Sequence, residues 1–300
     1  MSTVLRFLPE LGHWITHNLD AGAPPDGLVD AMVRQGMAGP AAQAIVAAFV
    51  EARRRGVAAP VDSVALPDEP AARPFIARPR LPAGHRIAAA DREVTVHARG
   101  HDPVWAALGP VLDADECRAL IDMARPRLRP STLVDPMSGR DVVSQHRSSW
   151  GMFFRLGENA LVARLDRRLS ALMNLPLENG EGLQLLHYPV GAGSEPHHDY
   201  LAPTNAANRE SVVRSGQRVS TLVTYLNDVP AGGQTVFPHL GLAFSPVQGH
   251  ACYFEYGDGQ GGVDPRCLHA SSPVEQGEKW VVTKWMRERR FVSAGEAAAD

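Results

Sequence analysis

The fragment His197-His198-Asp199, with His269 and Lys279 further along, brings into one chain side chains that could share a single piece of chemistry. A metal that must also take up outside ligands needs one face of protein donors and one face left open, and two imidazoles with a carboxylate provide that. His197 and Asp199 stand two apart, so on a strand they turn to the same side and can reach one ion. His269 would complete the triad from a distant strand. Lys279, ten residues after His269, sits in an apolar run, where an unpaired ammonium is costly and a bound carboxylate would offset the cost. Together these are the parts needed to hold one iron(II) and one dicarboxylate beside it.

Taken singly, each piece has a plainer reading. A lone His-x-Asp arises often by chance, and a lone histidine is more commonly a hydrogen-bonded core or surface residue. The chain has 12 histidines, so His239 and His250 also stand as candidates for a third ligand. The ordered set and the segments around it carry more weight than any member.

Those segments are LQLLHYPVGAGSEPHHDY over 183–200, QRVSTLVTYLNDVPAGGQTVFP over 217–238 and LHASSPVEQGEKWVVTKWMRER over 268–289. Upstream, a predicted helix, the stretch RPRLRPSTLVDPMSGRDVVSQHR and a second predicted helix precede them. In this order the motifs resemble the prolyl 4-hydroxylase family of iron(II)- and 2-oxoglutarate-dependent dioxygenases, over roughly residues 100–291.

The resemblance implies that His197, Asp199 and His269 ligate Fe(2+) and that Lys279 binds the distal carboxylate of 2-oxoglutarate. It implies further that Tyr188 and Thr235 hydrogen-bond the same cosubstrate, that Trp285 lines the pocket, and that Arg218 lies near the substrate. The implied reaction uses O2 to decarboxylate 2-oxoglutarate to succinate and CO2 while a substrate carbon is hydroxylated, with ascorbate commonly keeping the iron active. Related halogenases carry a small residue in place of the carboxylate ligand, so Asp199 predicts hydroxylation. Two substrate positions depart from the plant-type pattern: Ser194 replaces a tyrosine three residues before the first histidine ligand, and Arg287 replaces a histidine two residues after the tryptophan. The metal and cosubstrate set is complete while the substrate wall is altered.

The expected substrate is a prolyl residue in a protein or peptide. Free proline or another small molecule is the alternative, and a silent module sensing iron or 2-oxoglutarate is a second. The complete triad with Lys279 favours the enzyme. A zinc or manganese barrel of another type would leave Lys279 without a task.

With 300 residues and 44% hydrophobic content, the chain can bury a sizeable core and still hold a second small domain. A net charge of -3 and a pI near 6.5 give no global argument for nucleic acid or a membrane surface as partner. Cys117, Cys252 and Cys267 are odd in number and far apart, which argues against a disulfide framework and a zinc site and for a reducing compartment. The first 20 residues lack the apolar run of a signal peptide, and no segment reaches the ~20 apolar residues that span a bilayer. The expected location is cytoplasmic.

These residues must be positioned by several elements. Leu5, Leu8, Leu11 and Ile15, then Leu28, Met32 and Val33, then Ile45, Ala48 and Phe49 recur at helical spacing, which predicts a helical module over residues 1–56. Arg53, Arg54 and Arg55 form the solvated end of its last helix, which Gly56 terminates. The module either recruits a partner or substrate, or packs against the catalytic domain or a second copy in a homodimer; packing is the favoured reading. Residues 57–84, rich in proline and alanine, read as an extended connector. The dioxygenase domain is expected over 85–293 and a short tail over 294–300.

Within that domain Asp113 and Glu116 form a capping box for a helix bearing Cys117, Leu120, Ile121 and Ala124 on one face. A second helix near 158–174 presents Leu161, Leu165, Leu169 and Leu172. Both are expected against the outside of a sheet. The runs LQLLHY, RVSTLVTYL, HACYFEY and KWVVTKWM are strand-like and separated by turns, which suggests a two-sheet sandwich or barrel. The resemblance makes this a jelly-roll. The fold class is therefore α+β: a double-stranded β-helix barrel with flanking helices plus the small N-terminal helical module. Alternation turns Lys279, Val281, Thr283 and Trp285 the same way. Leu201–Gly216 is read as a loop acting as a lid over the substrate, with Leu133–Arg147 as its counterpart.

Overall fold

The computed structural model describes residues 4–37, 39–65, 75, 77–130, 132–134, 141–143, 149–203, 206–293 and 295. The chain divides into two compact units, Met1–Arg73 and Pro74–Asp300.

In the first unit, β1 (Val4–Arg6) pairs antiparallel with β2 (Ser63–Ala65), and α1 (Pro9–Asp20), α2 (Pro25–Arg34) and α3 (Gly39–Arg55) lie between them in sequence. Ile15, Leu28, Met32, Ile45 and Phe49 fill its core. One sequence expectation needs correction. Leu5 belongs to a strand, and α1 starts only at Pro9, whose fixed φ suits a first helical position. The stretch 57–84, expected as a connector, also contributes to both units, because Ser63–Ala65 pairs with β1 in the first and Leu81 packs into the core of the second. Three-residue strands are too short for hydrophobic periodicity to reveal them. At the far end of α3, Gly56 adopts φ +65°, the left-handed conformation that stops a helix, while Arg54 pairs with Glu51.

The second unit is built on two antiparallel sheets. Its strands are β3 (Arg86–Ala89), β4 (Arg92–His101), β5 (Val104–Gly109), β6 (Arg129–Pro130), β7 (Thr132–Val134), β8 (Asp141–Val143), β9 (Trp150–Phe154), β10 (Leu183–Tyr188) and β11 (Ser194–His197). They continue with β12 (Arg218–Tyr225), β13 (Ala231–Gly232), β14 (Thr235–Phe237), β15 (Leu242–Phe244), β16 (Ala251–Glu255), β17 (His269–Ser271), β18 (Val274–Gln276) and β19 (Lys279–Arg287). Among the described residues the major sheet runs β3-β4-β5-β16-β12-β19-β10-β9-β6 and the minor one β11-β17-β14-β15. This is the double-stranded β-helix, with α4 (Ala114–Ala124) and α5 (Ala160–Leu172) flanking it.

The centre of the major sheet is buried on both sides. One face meets Leu120, Leu165, Leu169 and Leu172 of α4 and α5 in a core that includes Leu185, Leu222, Val282 and Met286. On the other face lies an interior of Leu186, Tyr188, Val223, Tyr225, Phe237, Phe254 and Val281. Strand β19 is therefore buried at every position, and its alternation separates two layers. Lys284, on the helix face, donates to Asp166 of α5 (2.8 Å) and to the Glu181 carbonyl (2.6 Å), so it is committed away from the interior.

Helix α4 begins as its sequence directs. Asp113 accepts from the Glu116 amide and Glu116 accepts from the Asp113 amide, closing the capping box. Glu116 is then drawn into a buried pair with Arg168 of α5, which also forks onto Asp91 at 2.8 and 2.7 Å. Removing one partner from such a pair strands a buried charge, so Arg168→Ala should cost about 3–5 kcal/mol. Chemical denaturation should show that loss in the midpoint. A midpoint unchanged from wild type would mean that Glu116 is neutralised by other means.

The stretch 201–216 is not wholly a loop. It contains α6 (Ala206–Ser215), a weakly amphipathic helix that its polar sequence does not announce. Of the expected counterpart, 133–147, only β7 and β8 contribute described residues, which pair antiparallel; the rest lies outside the described residues. Cys117, Cys252 and Cys267 are all free thiols and all buried. No described helix is long and apolar enough to cross a membrane.

Candidate active site

Strand β11 runs antiparallel to β17, and their register sets His197 opposite His269. The two imidazoles lie with ring centroids 4.4 Å apart. Asp199 is not on the strand itself; it follows just beyond the end of β11 and turns its carboxylate between the two rings. Oδ1 lies 3.8 Å from His197 Nε2, and Oδ2 lies 3.7 Å from His269 Nε2. All three donor atoms fall within 4.8 Å of one another, the one such group of three among the described residues. Bonds of about 2.1 Å to one ion allow donors up to about 4.2 Å apart, so small side-chain rotations bring all three into range.

The tautomers are already set for ligation. His197 Nδ1 donates to the Glu195 carbonyl (2.8 Å) and His269 Nδ1 to the Cys267 carbonyl (3.0 Å), each two residues earlier in the chain. Each Nε2 therefore presents its lone pair to the shared point. Burial alone would raise the Asp199 carboxyl, but His269, His197, Arg218 and the Thr221 hydroxyl outweigh it and hold it at about 2. With each Nδ1 committed to a carbonyl, the two Nε2 atoms and the Asp199 carboxylate are the donors left for an ion, a set that fits a divalent metal once each Nε2 gives up any proton it carries. His198 takes no part, since its Nε2 bonds the Pro265 carbonyl and its ring stacks on Tyr200. His250 stacks on His97, and neither it nor His239 joins the cluster.

Thr221 Oγ1 donates to Asp199 Oδ2 at 2.7 Å and lies 2.9 Å from the Tyr256 hydroxyl. Outer hydrogen bonds of this type fix a ligand's orientation and are worth 10–100-fold in metal affinity. Thr221→Val should weaken binding of Fe(II) or Mn(II) by about that factor, measurable by titration of the metal-free protein. Unaltered affinity would show that Asp199 is held by the imidazoles alone.

The cleft beside the triad is lined by Gln184, Leu186 and Tyr188 of β10, Val223 of β12, Thr235 of β14, and Lys279, Val281, Thr283 and Trp285 of β19. Ser194 is also there, and its Oγ accepts from the Ser271 amide across the β11–β17 register shift. Lys279 is 2% exposed, and among the described residues its ammonium makes one hydrogen bond, a 2.8 Å donation to Ser271 Oγ. No carboxylate among the described residues pairs with it. The rings of Tyr188 and Tyr225 face it at 5.2 and 5.7 Å, within cation–π range. Burial pushes this ammonium down to about 7. A buried cation without an anion is a receptor for one. Beside it, the Tyr225 hydroxyl donates to Thr235 Oγ1 (2.8 Å), which leaves the Thr235 proton free for an acceptor in the cleft. The buried atoms Gln184 Oε1 and Trp285 Nε1 have no hydrogen-bond partner among the described residues. These features fit a small dicarboxylate next to a metal.

The chain can now be set beside known proteins. The model of the 2OG-Fe(II) oxygenase superfamily matches residues 183–287, the interval that carries every donor just described. Prolyl 4-hydroxylase 5 of Arabidopsis thaliana is 38% identical over 200 residues, covering 60% of this chain and 67% of that one. Prolyl 4-hydroxylase 1 of the same plant is 37% identical over 202 residues, covering 62% of this chain and 70% of that one. The chain belongs to the prolyl 4-hydroxylase family. It is a 2-oxoglutarate-dependent dioxygenase, and the family's Fe(2+), 2-oxoglutarate and O2 are its reactants and cofactor. Among solved structures, a viral collagen prolyl hydroxylase from Paramecium Bursaria Chlorella virus-1, in complex with 2OG, is 25% identical with a TM-score of 0.48, covering 60% of this chain and 94% of that one.

In this dioxygenase the two arginines expected near the substrate, Arg218 and Arg287, both have carboxylate partners. Arg218 forks onto Glu181 through Nε (2.6 Å) and Nη2 (2.8 Å), donates to the Asp199 carbonyl (3.2 Å), and lays its guanidinium 4.0 Å over the Trp285 ring. Arg287 is 2% exposed and turned inward, with Nε 2.7 Å from the same Glu181 in an off-axis ion pair. Burial would raise the Glu181 carboxyl, but Arg218 and Arg287 outweigh it and keep it lowered. Of these partners, Glu181 gives no signal in the sequence, since it precedes its strand. Gln184 and Ser271 are different, because each stands an even number of residues from a named site residue, Tyr188 and His269, and period two places them on the same face.

Proposed function

We propose that this enzyme hydroxylates a prolyl residue within a protein or peptide. The observation that carries the reading is the 38% identity to an Arabidopsis prolyl 4-hydroxylase over 200 residues. On this reading His197, Asp199 and His269 hold iron, and Lys279 meets the distal carboxylate of 2-oxoglutarate through a charge-assisted hydrogen bond. Tyr188 and Thr235 complete that carboxylate's shell, with Tyr225 orienting the Thr235 proton. Bound iron supplies the dioxygen chemistry that couples decarboxylation of 2-oxoglutarate to hydroxylation. The chain holds the ligands in one tautomer, keeps water from the cleft with Leu186, Val223 and Val281, and aligns the substrate against Trp285 and Arg218. The three buried thiols support a reducing, cytoplasmic setting.

Proline-containing peptides and free proline should be incubated separately with the enzyme, Fe(II), 2-oxoglutarate and ascorbate. A peptide gaining one oxygen on proline, with matching succinate, supports the proposal. Oxygen gained by free proline alone, or succinate formed equally with and without any peptide, rejects it.

A further inference from the structure

Helix α6 lies on the chain between Asp199 and Arg218, and the segments that lead into and out of it are tied to each other. Leu201, two residues after the ligand Asp199, exchanges two hydrogen bonds with the side chain of Gln217, the residue before Arg218, at 2.7 and 2.9 Å. The loop carrying α6 is thus closed at its base, beside Asp199 and Arg218. The C-terminal half of α6 is held by one side chain from the major sheet. Arg287 Nη1 donates to the Gly216 carbonyl (2.8 Å), and Nη2 donates to Ser211 Oγ (2.7 Å).

Nε of the same guanidinium faces Glu181, whose two oxygens hold Arg218 against Trp285. One planar fork therefore spans α6 and the pocket wall, which a lysine could not do with a single ammonium. We infer that Arg287 is a positioning residue that sets α6, the helix between Asp199 and Arg218, and, through Glu181, sets Arg218, so that it tunes how the substrate is gripped. The inference rests on the reading of a peptide substrate. Arg289 adds weight to the idea that α6 is held deliberately, since its Nη2 donates to the Val212 and Val213 carbonyls at the helix end (3.1 and 2.9 Å).

The test uses the full chain loaded with Mn(II) and 2-oxoglutarate for hydrogen exchange, and with Fe(II) for kinetics. Arg287→Lys keeps a charge and loses the fork; Ser211→Ala removes only the α6 anchor; Ser211→Thr keeps the hydroxyl. In Arg287→Lys and Ser211→Ala, amide exchange across 206–217 should quicken about tenfold while the strands stay protected. Peptide KM should rise about fivefold with kcat and the 2-oxoglutarate KM near wild type, and Ser211→Thr should restore both readouts. Exchange in α6 that stays at the wild-type rate in Ser211→Ala, or a loss of kcat in step with the KM change, overturns the inference. If wild type oxidises no peptide, the substrate reading falls, and the exchange measurements still judge the role of Arg287.

Discussion

Alanine at Asp199 or at His269 should bring 2-oxoglutarate turnover down to the metal-in-buffer background. Each substitution removes one of three donors that meet within 4.8 Å, and the two that remain cannot present a face of ligands. The effect should appear first in the metal: calorimetric titration of Fe(II) or Mn(II) should show binding lost or greatly weakened. The fold should survive Asp199→Ala, because the residue lies beyond the end of β11 and makes no ladder hydrogen bond there. Near-normal succinate production by either variant would remove these residues from the ligand set. Restoration of turnover in Asp199→Glu, with its longer arm, would show that carboxylate identity matters more than reach.

Lys279→Ala is expected to leave metal binding intact and raise the 2-oxoglutarate KM by roughly two to four orders of magnitude, on the scale of about 3–5 kcal/mol for one partner of a buried charge pair. The same residue predicts a pH dependence. Its ammonium is pushed from 10.5 down to about 7 by burial. Below about 7 the free protein already carries the charge that a carboxylate needs; above it, binding must take up a proton, so affinity falls as pH rises. The stability of the cosubstrate-free protein runs the other way. Between the folded value near 7 and the unfolded 10.5 the unfolded chain binds more protons, so stability increases with pH through that window. Calorimetry at pH 8 in two buffers of different ionisation enthalpy should register uptake of about one proton per 2-oxoglutarate bound. No uptake, or a KM unmoved in Lys279→Ala, would transfer the carboxylate to another group. Lys284 is poorly placed to take over, since it faces α5 and is committed to Asp166.

Much of the site could be read in the sequence because it depends on local periodicity. Period two along KWVVTKWM places Lys279, Val281, Thr283 and Trp285 in one row, and these four line the cleft together. The capping residues Asp113 and Glu116 start α4 as their spacing directs. Periodicity also misled where elements were very short or polar. Leu5 continued a helical pattern and lies in a three-residue strand, while α6 arose in a segment without an apolar stripe.

By itself the sequence determined the inventory: two imidazoles, one carboxylate, one cation in an apolar run, and the strands able to carry them. These follow from residue type and from which side of an element each residue must take. Only the tertiary structure decided which histidine joins His197 and Asp199 as the third donor, because His197 and His269 become neighbours through β11–β17 pairing and not through any local rule. It also decided that Arg218 and Arg287 share Glu181 and that Lys284 belongs to Asp166, partners separated by up to 118 positions. Buried charges must find counter-charges wherever packing brings them, and that choice is made by the whole fold.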